Sequence, residues 1–317
     1  MADKKIIAVV GATGAQGNGL VRAILEDPTG GFAARAITRD ASSEKARALA
    51  ALGAEVVAAN VDDPQSLERA FAGAHGAYCV TFFWDHFSPE KEVAQAAAMA
   101  QAAKRAGLRH VIWSTLEDTR RFVPLSDSRM PTLQGKYKVP HFDAKGEADR
   151  LFTEAGVPTT FLLTSFYWDN LVHFGMGPKP GPDGTLLFTL PMGDRKLPGI
   201  AAEDIGRSAY GVFKLGTAAV GRTLGIAGEH LTGAQMAAAL GRALGREVRH
   251  NAVTPAAYRG FGFPGADDLG NMFQFKAEFE AQFCGARSVE ETRRLHPGLQ
   301  DFAAWLERNK GRIPLEG

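Results

Sequence analysis

A doubly wound, Rossmann-type parallel α/β sheet with a smaller mixed C-terminal lobe is the architecture this sequence predicts. Three observations carry it. Short apolar runs alternate with helix-period segments from residue 4 to residue 115. The links between them are brief. The first run also ends in a glycine-rich turn, "GATGAQG" at 11–17, that opens a helix. Strand and helix in such alternation pack as helices on both faces of a parallel sheet.

The elements follow in order. "KKIIAVV" (4–10) is a short apolar run ending in glycine, the pattern of a buried parallel strand. "NGLVRAILED" (18–27) switches to helical spacing, with Leu20, Val21, Ile24 and Leu25 on one side. "ARAIT" (34–38) is a strand, "SSEKARALAALG" (42–53) a helix stopped by Gly53, and "AEVVAAN" (54–60) a strand. "PQSLERAFAG" reads as a helix, "GAYCVTF" as a strand, 90–107 as an alanine-rich helix and "HVIWST" (110–115) as the next strand. Residues 116–140 carry charges and three prolines without a period, so they form a long loop of the kind that is functional or mobile. A helix (141–156) and a strand (158–166) follow, then short strands and helices at about 203–214, 232–244 and 299–309. We place the lobe boundary at 166, giving an N-terminal lobe over 1–166 and a C-terminal lobe over 167–317, with room for later strands to rejoin the first sheet.

Composition narrows the function classes. The 317 residues hold 36 Lys and Arg against 35 Asp and Glu, a net charge of +1, which speaks against a dedicated nucleic-acid or membrane-surface protein. No run of about 18 apolar residues is present, and a cytoplasmic protein is expected. Of the two cysteines, Cys79 sits in the apolar run "AYCV", as a packed core residue does.

Gly11, Gly14 and Gly17 fall at a spacing of three between a strand and a helix. In a dinucleotide site the first glycine makes the tight turn, the second admits the pyrophosphate and the third lets the helix pack on the sheet. The free N–H groups and dipole of the helix then face the phosphates. Glycine-rich turns also serve packing alone, but the strand–turn–helix–strand context favours the dinucleotide. The second strand ends "AITRDA", with Thr38 and Arg39 ahead of Asp40. A guanidinium there suits a 2′-phosphate, hence NADP(H) over NAD(H), unless Arg39 and Asp40 form a solvated surface pair.

A reductase on this fold needs a proton donor beside the nicotinamide, commonly a tyrosine four residues before a lysine. Here His141 and Lys145 have that spacing and share a helix face, while Ser114 ends the fifth strand. Tyr137 lies eight residues before Lys145 and falls ahead of the helix. His141 is either a proton relay or a helix-start histidine bonded to a nearby carboxylate or carbonyl. The remaining histidines lack metal-ligand spacing, so no metal is expected.

"GATGAQG", "TRDAS", "VDDPQSLERAF", "VTFFWD", "EKEVAQ", "HFDAKGEADRLF", "SFYWDN" and "GFPGADDLGNMFQF" together resemble the NmrA-like family of atypical short-chain dehydrogenases, and within it the NADPH-sensor branch. The resemblance spans residues 11 to about 275. It implies an NADP-binding lobe closed by a smaller second lobe. It assigns cofactor contacts to Gly11, Thr13, Gly14, Ala15, Gln16 and Gly17 in the loop, and to Thr38 and Arg39 at the 2′-phosphate. Asn60, Val61 and Asp62 fall at the adenine. Thr81, Phe82, Phe83, Lys91, Lys145, Tyr167, Trp168 and Asn170 fall near the nicotinamide. The family lacks the tyrosine of the short-chain dehydrogenase motif and includes transcriptional co-regulators and redox sensors. Related isoflavone-type and quinone reductases use a lysine for catalysis. Two functions are therefore expected as alternatives: an NADP(H)-sensing regulator with a protein partner, or an NADPH-dependent reductase of a quinone, enone or similar small apolar electrophile. A monomer or a homodimer is compatible with either, since Ala94, Ala97, Ala98 and Gln101 suit subunit pairing or core packing.

Overall fold

The computed structural model describes residues 4–315. Six strands of the N-terminal half form most of one parallel sheet: β1 (Lys5–Val10), β2 (Phe32–Thr38), β3 (Glu55–Ala58), β4 (Gly76–Cys79), β5 (His110–Thr115) and β6 (Thr159–Leu163). They alternate with α1 (Ala15–Glu26), α2 (Glu44–Ala51), α3 (Pro64–Phe71), α4 (Pro89–Arg105) and α5 (Pro140–Glu154). The order across the sheet begins β3-β2-β1-β4-β5-β6, so the strand sequence reverses beside β1, opening a crevice at the carboxyl ends. Alternation along β1 shows why both faces are covered. Ile7 and Val9 enter the core under α1, while Ala8 and Val10 enter the core under α3 and α4. Cys79 is fully buried in the second of these cores and carries a free thiol. In α4 the buried alanines are Ala96, Ala100, Ala102 and Ala103, whereas Ala94 and Gln101 are exposed.

From residue 166 the chain builds two three-stranded sheets. One pairs β7 (Phe166–Tyr167), β10 (Lys196–Ile200) and β12 (Glu229–Thr232); the other pairs β8 (Lys179–Pro180), β9 (Leu186–Thr189) and β13 (Val248–Asn251). Between these strands the chain returns to the first sheet. Strand β11 (Thr223–Gly225) pairs in parallel with β6 and becomes its edge. Helices α6 (Asn170–His173) and α7 (Ala202–Leu215) precede it, and α7 lies on α1 with backbone against backbone. A methyl group on Gly206 would lie 2.2 Å from the Leu20 nitrogen, and one on Gly19 would lie 2.2 Å from the Glu203 carbonyl oxygen.

Helices α8 (Gly233–Leu244), α9 (Pro255–Arg259), α10 (Ala266–Glu278), α11 (Glu280–Gly285), α12 (Val289–Leu295) and α13 (Phe302–Asn309) complete the described chain. The sequence pattern reaches α7, α8 and α13 but not α10. That helix buries nine of its thirteen residues, Asp268, Asn271, Gln274 and Lys276 among them, and so lacks an amphipathic stripe. The loop over 116–139 is pinned from inside. The buried Asp143 carboxylate accepts from Thr119 N and Oγ1 (2.8 and 2.6 Å), Lys138 N (2.8 Å) and Val139 N (3.0 Å).

Candidate functional site

The turn after β1 has the three glycine roles in place. Gly11 takes φ +66°, the left-handed region that glycine enters at no steric cost. A methyl on Gly17 would sit 2.4 Å from the Gly11 carbonyl oxygen, so the third glycine allows the helix to close on the turn. Gly14 caps α1 in an extended conformation and no side chain bonds to the helix end. Gly11, Gly14 and Ala15 are exposed and Thr13 half-buried, so uncapped backbone N–H groups at the start of a twelve-residue helix face solvent. An anion such as a pyrophosphate fits this cradle.

At the end of β2, Thr38 is buried and Arg39 points outward, its side chain 71% exposed. Arg39 does not pair with its neighbour. Asp40 accepts from Ser42 N and Oγ (2.8 and 2.6 Å), while Arg39 Nη1 donates to Asp85 Oδ2 at 2.8 Å. Asp85 belongs to a short helical turn, Phe83–Asp85, in the segment following β4. At the end of β3, Asp62 N donates to Asn60 Oδ1 (3.0 Å) and Val61 is half-buried. Gln95 Nε2 donates to Asp62 Oδ1 at 2.9 Å, and this bond, with Lys91 beside it, holds the Asp62 carboxyl below its ordinary pKa.

Lys91 Nζ lies 3.2 Å from Asp62 Oδ2, beyond the end of β3. In the first turn of α4 the next residue points about 100° away, and that residue, Glu92, is the one directed inward. Glu92 is wholly buried. Its Oε1 accepts from Thr81 Oγ1 (2.6 Å) and from Lys145 Nζ (2.8 Å). Lys145 Nζ also donates to Thr81 Oγ1 (2.6 Å) and lies 5.3 Å from the Trp113 ring. The other oxygen, Oε2, has no hydrogen-bond partner among the described residues and faces His86 Nε2 at 3.6 Å. Ser88 N donates to His86 Nδ1 (3.1 Å), which places the imidazole hydrogen on Nε2, toward Glu92.

His141, at the start of α5, is bonded to a carboxylate. Its Nδ1 donates to Asp268 Oδ1 at 2.6 Å and its backbone N donates to Asp268 Oδ2 at 3.2 Å, so a carboxylate from α10 caps the start of α5. The ring is buried 4.8 Å from Trp84 and 5.9 Å from Phe83. Tyr137 lies off this face, as its offset predicts, with its hydroxyl donating to Glu90 Oε1 at 3.4 Å.

Ser114 is likewise engaged. Its hydroxyl donates to Gln16 Oε1 at 2.9 Å, and the Tyr78 hydroxyl donates to the same oxygen. Gln16 Nε2 donates to the Tyr167 hydroxyl, joining the glycine turn to the second lobe. While Tyr167 meets Gln16, Trp168, in the turn after β7, enters the second core 5.3 Å from Phe302. Asn170 is half-buried at the start of α6, Phe83 is buried, and Phe82 is 54% exposed. Local spacing in the sequence does not report Asp85, Glu92 and Asp268, whose partners lie 46, 53 and 127 residues away. Among the described residues no cluster of His, Cys, Asp or Glu has the form of a metal site.

Known proteins align with this chain over nearly its full length. The oxidoreductase FrzB of Cladobotryum sp, which carries an NmrA-like family domain, is 28% identical over 96% of this chain and 90% of its own. An NAD(P)H azoreductase of Xenophilus azovorans is 31% identical, with 82% of each covered. NmrA, a negative transcriptional regulator, has been solved in complex with NADP (TM-score 0.78) and with NAD (TM-score 0.79). Each structure is 26% identical and covers 96% of this chain and 95% of the other. The sequence pattern of the NmrA-like family matches residues 3–306, and this chain belongs to that family.

Proposed function

We propose that this chain binds NADP(H) in the crevice between the glycine turn and the Lys145 cluster, and passes on its occupancy as a regulator instead of turning it over. One observation carries the reading: the donor position of a short-chain dehydrogenase holds His141, and His141 is committed to Asp268 across the lobes. The glycine turn receives the pyrophosphate, Arg39 receives the 2′-phosphate, and Lys145, fixed by Thr81 and Glu92, holds the nicotinamide half. A group bound beside Lys145 sits next to the contacts among His141, Trp84 and α10, so binding bears directly on the lobe interface.

The second reading is an NADPH-dependent reductase of a small flat electrophile. It is favoured by the Lys145 ammonium at the strand ends, with exposed Phe82 nearby in sequence to Thr81. Bound NADPH would supply a hydride there, and Lys145 is the group placed to deliver a proton.

The purified chain is titrated with NADPH and NADH, then incubated with NADPH and quinones, enones, azo compounds and aldehydes while the nicotinamide absorbance is followed. We expect binding with a preference for NADPH that Arg39→Ala removes, and no steady oxidation. Steady oxidation that is lost in Lys145→Ala, with NADPH binding retained, establishes the reductase reading instead.

A further inference from the structure

We propose that Asp85 is an internal competitor for the 2′-phosphate site, so that a 2′-phosphorylated nucleotide releases the Phe82–Phe87 segment and a non-phosphorylated one does not. This deepens the reading given above and rests on it.

Among the described residues the Asp85 carboxylate has no side-chain partner besides Arg39. Asp85 Oδ2 lies 2.8 Å from Arg39 Nη1, and both side chains are open to solvent, 52% and 71% exposed. A phosphate that takes the guanidinium competes with this carboxylate, because two anions brought to one guanidinium repel each other. The exchange is easy, since an exposed ion pair is weak. A ribose 2′-hydroxyl carries no charge and gives Asp85 no reason to leave.

What makes the exchange consequential is the company Asp85 keeps. The residue before it, Trp84, packs 4.8 Å from the His141 ring and 5.7 Å from Phe87. The residue after it, His86, faces the unpartnered oxygen of Glu92, and Glu92 holds Lys145. Phe87 has φ +54°, a strained conformation for an aromatic residue, and its carbonyl accepts from Gln134 Nε2 at 3.2 Å in the 116–139 loop. Across the lobe boundary, a methyl on Gly265 would lie 2.8 Å from the Trp84 ring and 3.3 Å from that of Phe87. One six-residue segment therefore touches the 2′-phosphate arginine, the Lys145 cluster, the long loop and the approach to α10. Arg39 holds it from outside.

Trp84 offers the readout. The chain has four tryptophans; Trp113, Trp168 and Trp305 are at most 2% exposed, while Trp84 is half-buried, so acrylamide quenching reports chiefly on Trp84. The full chain is titrated with 2′,5′-ADP and with 5′-AMP, in the wild type and in Asp85→Asn, with Trp84→Phe identifying the signal. The expected result is that 2′,5′-ADP raises quenching in the wild type and 5′-AMP does not. In Asp85→Asn the quenching is already high without ligand, and 2′,5′-ADP binds about two- to fivefold more tightly while 5′-AMP is unchanged. Equal 2′,5′-ADP affinity in wild type and Asp85→Asn overturns the competition, as does an equal quenching response to both nucleotides, with nucleotide binding itself left standing. Failure of the wild type to bind NADPH or either nucleotide overturns the dinucleotide reading, and the competition with it.

Discussion

Glu92 places a carboxylate with no solvent exposure against a lysine that is 12% exposed, and each is the other's charge partner. Removing one member of such a pair strands the other, at a cost of about 3–5 kcal/mol. Glu92→Ala and Lys145→Ala should each lower stability by about that much in urea unfolding, and the double variant by less than the sum, with a coupling of about 0.5–3 kcal/mol. Simple additivity would show that the two side chains do not act as a unit. The sequence displays Lys145 readily, because the i, i+4 spacing with His141 lies within one helix. It hides Glu92, which is one residue past the lysine that the family resemblance points to and differs from it only in facing inward.

At the scale of elements, α1 and α7 meet backbone to backbone through Gly19 and Gly206. Gly206→Ala should push the helices apart and cost about 1–3 kcal/mol or more, read as a lower urea midpoint. Gly285→Ala is the matching control. It is exposed at the end of α11, a methyl there meets nothing within 4 Å, and stability should hold or rise by up to about 1 kcal/mol. The strands and helices of the first sheet were legible because each one-sided or fully apolar run is its own signal. The helix α10 was not, since a helix buried nearly all round has no polar face to mark its period, and Gly270 and Asn271 weaken its local preference. Its Asp268 is the partner of His141, so a contact at the start of α5 depends on the helix whose pattern is weakest in the sequence.

At the scale of the whole molecule, the two halves meet over charged groups that are out of water. Arg287 is fully buried and donates from Nη1 and Nη2 to Glu117 (2.6 and 3.0 Å) and from Nε to the Thr164 carbonyl (2.8 Å), tying the second lobe to the ends of β5 and β6. Beside it Lys276 sits 5.3 Å from the rings of Phe142 and Phe283, and burial, aided by Arg287, pushes its pKa down to about 7. An unfolded lysine titrates near about 10.4, so between about pH 7 and 10 the unfolded chain binds the extra proton. Stability should therefore rise with pH across that window through Lys276 and level off below it. Denaturation midpoints at stepped pH should show this slope in the wild type and lose it in Lys276→Met; an unchanged slope would mean another group is responsible. The return of α7 and β11 to the first sheet has a different consequence. A chain ending at 166 would lack the edge strand beside β6 and would leave the glycine face of α1 uncovered. The lobes are thus braided along the sequence, so no single cut in the chain parts them into two complete sheets.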